Sequence, residues 1–339
     1  MDRLLAIDIG GGTQDILLYE TGKPLENCVQ LVLPSPTVIV AGKINRATEQ
    51  GKPVWLHGRV MGGGPSAKAV KNHLACGLPV FATREAALTM HDNPEIVRQT
   101  GIVITEDPPA KAMHVRLGDL DTHMLERILG EVGVTLPEQY AVAVQDHGYS
   151  PDESNRIFRF RIWEQFMAAG GRLKDLAYKN PPEYLTRMRA VQDEFPDTLL
   201  MDTCGAALLG ALTDPLVSET AERAPVAIIN LGNQHTFAAI VQKDRILGLF
   251  EHHTGVMSAE KVNRYLKKLC SAELTNKEIQ DDLGHGSVPP ASPLEPSLTV
   301  ATGPRRAMLS PDEYYFAAPQ GNMMLMGCFG LVAAAGFFT

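Results

Sequence analysis

Residues 4–20 read LLAIDIGGGTQDILLYE: two apolar runs joined across three consecutive glycines, with an aspartate close on either side. Glycine packs nothing and loses the most conformational freedom on folding. Three together therefore mark a backbone that bends sharply or closely approaches another group. The flanking runs, 4–9 and 16–19, predict a β-hairpin. Amides exposed by such a turn make an anion-binding concavity, and a neighbouring carboxylate can hold magnesium through water. The hairpin reads as a structural turn or as a phosphate cradle. A weaker copy, strand–glycine loop–strand, lies at 226–242 (VAIINLGNQHTFAAIVQ).

The remaining chemistry is bounded by composition. The chain has 339 residues, enough for two domains, and a net charge of −8, which argues against general affinity for nucleic acid. Its five cysteines (Cys28, Cys76, Cys204, Cys270, Cys328) lie far apart with no CxxC pair, as expected of a reducing cytoplasm and without a zinc or iron–sulfur signature. The N-terminus does not read as a signal peptide, because Asp8 and the glycines interrupt its apolar run. Residues 323–339, MMLMGCFGLVAAAGFFT, carry no charge but fall short of the about 20 residues a spanning helix needs. They predict a buried terminal helix, so no membrane association is expected.

Along the chain, PTVIVAG (36–42) and KPVWLHG (52–58) read as strands. Next come a second glycine triplet, Gly62–Gly64, and a helix opened by Pro65, with Ala67, Val70 and Leu74 on one face. Gly77 ends that helix, and LPVFAT follows as a strand. An amphipathic helix capped by Asp121 leads to the strand YAVAVQDHG. Helices broken at Gly170–Gly171 and Pro181–Pro182 follow, then TLLMDTCGAALLGAL as strand, turn and small-residue helix. A β-meander (VAIINL, FAAIVQ, ILGLFEHH), a proline-rich loop, the strand SLTVATG and the apolar helix complete it. The alternation predicts an α/β protein in two lobes. The expected boundaries are 1–205 for the first lobe, with an inserted strand–helix–strand region at about 33–110, then 206–320 for the second lobe. Residues 321–339 are expected to return to the first.

Five stretches, in order, resemble the motifs of the actin-like ATPase superfamily of sugar and acetate kinases, chaperone ATPases and actin. AIDIGGGTQDILL resembles the first phosphate motif, DTCGAALLGAL the first connecting helix, and IINLGNQHTFAAIV the second phosphate motif. LTVATGPRR resembles the adenosine motif and GCFGLVAAAG the second connecting helix. The resemblance implies two RNase H-like lobes with ATP and Mg2+ in the cleft between them and the connecting helices crossing at the hinge. By it, Asp8 orients the metal through water. Gly10, Gly11, Gly12, Thr13, Gln14 and Asp15 face the nucleotide from one side, and Gly232, Asn233, Gln234, His235 and Thr236 from the other. Thr302 and Gly303 sit at the adenosine. Gly327, Gly330 and Ala333–Ala335 are the small residues that let the connecting helices touch. The chain departs from the pattern at Asn230, where relatives carry an acid, at Asn233–His235, where they carry glycine or threonine, and at Pro304.

The same resemblance, to the regulatory sugar-kinase branch, implies that Asp202 is a catalytic base and that Glu251 with His252 or His253 touches substrate. Read from the residues alone, Asp202 is equally an N-cap. Asp146 is the other candidate base. Gly62, Gly63, Gly64 and Ser66 form either a tight turn or a seat for an anionic group of the substrate. His147, His252, His253 and His285, with Asp146, Glu251 and Asp282, line a substrate pocket or hold zinc or iron. His57, His73, His91, His114 and His123 read as surface or local packing residues. The chain also resembles a family that carries the label of a pyruvate formate-lyase activating enzyme, through MGGGP, VQDHG, EHHTG and GHG. The CxxxCxxC motif that radical chemistry would require is absent. Three functions remain open: an ATP- and magnesium-dependent phosphotransferase on a small molecule, a nucleotide-switched module acting on a protein partner, or a metal-dependent hydrolase or isomerase that has abandoned ATP.

Overall fold

The computed structural model describes residues 2–338. Strands β1 (Arg3–Ile9), β2 (Thr13–Glu20) and β3 (Val29–Pro34) form an antiparallel meander, from which helix α1 (Pro36–Glu49) leads away. β4 (Val54–Gly58), helix α2 (Gly64–Ala75), β5 (Val80–Ala82), β6 (Val103–Ile104) and β7 (Met113–Leu117) build a separate parallel sheet of order β6-β5-β4-β7. β8 (Tyr140–Val144) returns to pair in parallel with β1. Helix α3 (Asn155–Ala168), β9 (Ala177–Tyr178), helix α4 (Thr186–Glu194) and β10 (Leu199–Met201) complete a first sheet of order β3-β2-β1-β8-β10-β9.

Helix α5 (Thr203–Ala211) crosses to the second sheet. There β11 (Val226–Leu231), β12 (His235–Gln242) and β13 (Arg245–His253) repeat the meander, edged by β14 (Gly286–Val288). β15 (Leu298–Thr302) lies parallel to β11 and β16 (Tyr315–Phe316) parallel to β15, giving the order β14-β13-β12-β11-β15-β16. Each large sheet is thus an antiparallel 3-2-1 meander whose first strand is flanked by a parallel strand. This is the pair of RNase H-like lobes that the motif order implies.

The lobes share one core. Leu4, Ala6, Leu17 and Met201 from the first pack with Ile228, Phe237, Ala239 and Val300 from the second, around α5 and a final helix, α6 (Met326–Ala335). The small-residue reading of these helices holds atom by atom. A Cβ on Gly210 would overlap the carbonyl oxygen of Met326, and one on Gly330 that of Ala206. A Cβ on Gly327 would overlap the Asp8 carboxylate. No helix among the described residues is long and apolar enough to cross a membrane, and α6 lies almost wholly in the core.

Two expectations need correcting. Residues 36–42 are not a strand but open α1. Ser35 precedes them in extended conformation, Pro36 sits in the first turn, and Thr37, Val40, Ala41, Ile44 and Ala47 are buried at helical spacing. The β-branched run suggested a strand, and tertiary packing overrode it. In α2 the buried face is Ser66, Ala69, Val70 and His73 rather than Ala67, Val70 and Leu74. His73 can be fully buried because its Nδ1 lies 2.8 Å from Thr48 Oγ1.

The helix crossing yields a direct test. Gly330→Ala and Gly210→Ala should each cost about 1–3 kcal/mol in urea unfolding, the usual range for overpacking a core. Gly336→Ala, whose Cβ meets nothing within 4 Å, should cost nothing measurable.

Candidate active site

Both hairpins turn in the same way: Gly10 N–H donates to Thr13 O at 2.9 Å, and Gly232 N–H to His235 O at 2.9 Å. The two turns face each other and touch. A Cβ on Gly11 would overlap the Gln234 side chain, and one on Gly12 would fall 2.9 Å from Asn233 Nδ2. A side chain at 11 or 12 would therefore have to push Gln234 or Asn233 of the opposite lobe aside. Gln14 is turned away and donates to Pro34 O at 3.0 Å, while Thr236 Oγ1 pairs with Thr254 at 3.0 Å. These two predicted contacts serve the strands.

Two cavities lie on either side of the touching turns. One, of 100 Å3, is lined by Asp8, Thr13, Asp15, Asn230, Gly303 and Met326, among others. The other, of 330 Å3, opens towards the inserted sheet and is lined by Gly62–Gly64, Asp92, Asp146, His147 and Arg187, among others. Gly10, Gly11, Gln145, Thr203, Gln234 and His235 line both and form the wall between them. Ser66 is behind this surface: its hydroxyl donates to Gly63 O at 2.6 Å and braces the glycine turn.

Asp8 and Asp15 are direct partners across β1 and β2. Asp8 Oδ1 and Asp15 Oδ1 are both inaccessible to water and without a hydrogen-bond partner. Burial, and then the charge of Asp15, push the Asp8 carboxyl well above its ordinary range. Burial lifts Asp15 to about 7 against the opposing hydrogen bond from Thr13. Beside the adenosine motif, Gly303 adopts φ +91°, and Asn230 Oδ1 occupies the space a side chain there would need. Thr302 Oγ1 is buried and unpartnered.

Beneath the wall lies Arg159, on α3 and 3% exposed. Its Nη1 and Nη2 donate to Asp202 at 2.8 and 3.1 Å, Nε donates to Glu251 Oε2 at 2.6 Å, and Nη1 also reaches Asp146 O at 2.8 Å. Gln145 Nε2 donates to the other Glu251 oxygen at 2.7 Å. Burial alone would raise the Asp202 pKa, but the Arg159 charge and hydrogen bonds hold it below its ordinary value. Asp202 also accepts Cys204 N–H at 3.0 Å as the N-cap of α5. Both roles keep it off the wall of the larger cavity. Glu251, wholly buried, is likewise turned to the guanidinium and not to a substrate space.

Asp146 is on that wall. Its Oδ1 accepts Gly148 N–H at 2.9 Å, and its Oδ2 accepts Arg187 and Met188 N–H, both at 2.9 Å, capping α4 from outside. Burial raises its pKa to about 6, with those amides pulling the other way. Arg187 forms a bidentate pair with Asp119 at 2.7 Å for both bonds, and donates to Gln145 O at 3.0 Å. Arg159, Arg187 and Asp119 escape sequence reasoning because their charged partners lie 43, 92 and 68 positions away, with no local pattern.

The histidines sort differently from expectation. His252 is buried on the opposite face of β13, its Nε2 standing 3.2 Å from Asp282, which Lys261 and Tyr265 also bind. With Glu251 committed to Arg159 and His252 turned to Asp282, these three residues do not join His147 and His285 around one ion as the expected cluster of His147, His252, His253, His285, Asp146, Glu251 and Asp282 would require. Instead His147 and His285 converge with His235, a residue expected only at the phosphate. Their ring centroids lie 5.0–5.9 Å apart, with His253 4.7 Å from His285. Burial lowers the pKa of all three, His147 to about 3 and His235 to about 2, so the rings are neutral.

Residues 61–308 match the model of the family described as "Putative pyruvate format-lyase activating enzyme (DUF1786)". No curated protein matches the chain. Among solved structures it is similar to the inorganic polyphosphate/ATP-glucomannokinase of Arthrobacter sp. strain KM. That similarity has 11% identity and a TM-score of 0.36, over 99% of this chain and 100% of that one. It is also similar to an Aquifex aeolicus Ppx/GppA phosphatase (10% identity, 90% and 68% coverage, TM-score 0.29). A third is a nucleotide-free acetone carboxylase (14% identity, 72% and 44% coverage, TM-score 0.23). The lobe architecture stands on the strand orders given above.

Two measurements probe the buried charges. Arg159→Met leaves Asp202 and Glu251 uncompensated and should cost about 3–5 kcal/mol in chemical unfolding, whereas Lys277→Ala at an exposed pair should stay within about 0.5 kcal/mol. For Asp15 the folded pKa is raised, so its contribution is full below the unfolded value and is lost as pH rises through about 7. With a chelator present, Asp15→Asn should melt higher than the parent at pH 8, and the gain should shrink towards pH 5.

Proposed function

The chain belongs to that family, and we propose that it is an ATP- and magnesium-dependent phosphotransferase acting on a small molecule. The observation that carries the reading is the shared wall. Two glycine turns stand between a cavity lined by the nucleotide-motif residues and a larger cavity lined by Asp146 and Arg187. A phosphoryl group held at Gly10–Gly11 and Gln234–His235 is within reach of both sides, so transfer requires only positioning and charge stabilisation.

Asp8 and Asp15 suit a magnesium ion: each has a buried oxygen lacking a partner, and each is pushed towards the protonated state when no cation is present. Bound there, Mg2+ would neutralise these carboxylates and the nucleotide phosphates together. The smaller cavity, at 100 Å3, is below the roughly 300–1,000 Å3 typical of ligand pockets. Nucleotide entry therefore requires Asn233 and Gln234 to lift from Gly11 and Gly12, with the α5–α6 crossing as the pivot.

On the acceptor side, the base is Asp146 rather than Asp202. Asp146 lines the larger cavity, retains a free lone-pair direction on Oδ1, and has a pKa raised to about 6, close to a working pH. Asp202 acts through Arg159 as a positioning residue. Arg187, beside Gly62, supplies positive charge to an anionic acceptor.

Calorimetric titration with ATP and Mg2+ should show saturable binding that Asp8→Asn weakens at least tenfold. Screening metabolite pools with γ-labelled ATP should then find an acceptor whose labelling Asp146→Asn reduces by about 10²–10⁴. Absence of ATP binding by the folded parent protein would overturn the reading.

A further inference from the structure

We propose that His147, His235 and His285 form a three-imidazole site for a first-row divalent transition metal of the Zn2+ type, open on one side to the 330 Å3 cavity. One ring nitrogen from each lies within 4.8 Å of the others, and side-chain rotations that bring them to the about 3.3 Å separation that tetrahedral Zn–N bonds impose would complete the set. The residues come from three separate places: the chain just after β8, the first residue of β12, and the residue preceding β14.

The decisive residue is His285. It is 2% exposed, and both its ring nitrogens are sealed from water with no hydrogen-bond partner. A buried imidazole ordinarily has at least one nitrogen satisfied, and leaving both bare costs the full desolvation of each. Coordination through one nitrogen removes that nitrogen's share of the cost. Packing alone offers no equivalent, since the neighbours are other imidazoles at 4.7–5.0 Å between centroids. The nearby Arg159 guanidinium is paired with two carboxylates, Asp202 and Glu251.

The donor set selects the ion. Three nitrogens without a carboxylate suit zinc, copper, nickel or iron and not magnesium or calcium. Three protein ligands leave a fourth position, and His147 and His235 both line the larger cavity. A water, hydroxide or other small oxygen donor is the ligand class such an open position accepts. His147 belongs to the first lobe, and His235 and His285 to the second. A bound ion would therefore tie the lobes together next to Gln234. The site needs no nucleotide.

The test uses the full chain, stripped with chelator, and Co2+ or Zn2+ alone. Co2+ should bind at one equivalent with the intense visible absorption of a tetrahedral nitrogen site, and Zn2+ should displace it. His147→Gln and His235→Gln should each weaken binding roughly a hundredfold or more, with circular dichroism confirming the fold. His123→Gln, at an exposed remote histidine, should bind like the parent. Metal should also raise the melting temperature of the parent but not of the two site variants, as expected for a ligand that binds only the folded form. Failure of the parent to bind either ion stoichiometrically, or retention of parent affinity in both His147→Gln and His235→Gln, would overturn the proposal. If one variant does not fold, the other decides the ligand assignment.

Discussion

A single guanidinium holds the two lobes in register. Arg159 reaches Asp202 at the start of α5, Glu251 near the end of β13 and the Asp146 carbonyl just after β8, all away from water. A buried charge tolerates this only when its donors and the opposing charges are satisfied together, and here both carboxylates and a third acceptor surround it. Each partner also holds a piece of the site. Asp202 caps α5, Gln145 beside Asp146 closes on Glu251, and the Asp146 carboxylate orients the first turn of α4. Removing the guanidinium would loosen the wall between the cavities from both sides.

The helix crossing supplies the complementary constraint. At Gly210 and Gly330 the backbones of α5 and α6 approach so closely that any side chain would overlap backbone atoms, and at Gly327 one would overlap the Asp8 side chain. The lobes share one continuous core around these helices, while the Gly11–Gln234 contact at the cleft mouth is a touch of loops. Movement that opens the smaller cavity is therefore cheapest at the mouth.

Much of this was legible locally. Glycines between apolar runs marked both hairpins, and small residues in GCFGLVAAAG marked a helix that packs close. What failed were features decided by facing or by distance. FEHH looks like one cluster, but successive strand residues point to opposite faces. Glu251 thus turns to Arg159 and His252 to Asp282, and the three cannot converge on an ion. Residues 36–42 carry strand-like side chains in a helix, because their buried spacing rather than their branching suits the inserted sheet. The Arg187–Asp119 pair joins positions 68 apart and leaves no periodic trace.

The second phosphate loop, GNQHT, links these threads. Asn233, Gln234 and His235 stand where the superfamily motif has glycine or threonine, yet each replacement has a place in the structure. Asn233 and Gln234 fill the space opposite Gly12 and Gly11, and His235 turns towards His147 and His285. Gln234 and His235 are adjacent at a tight turn closed by the Gly232–His235 bond, so a backbone movement that lifts Gln234 would carry His235 with it. The contact with the first glycine turn and the imidazole cluster thus share one short stretch of backbone.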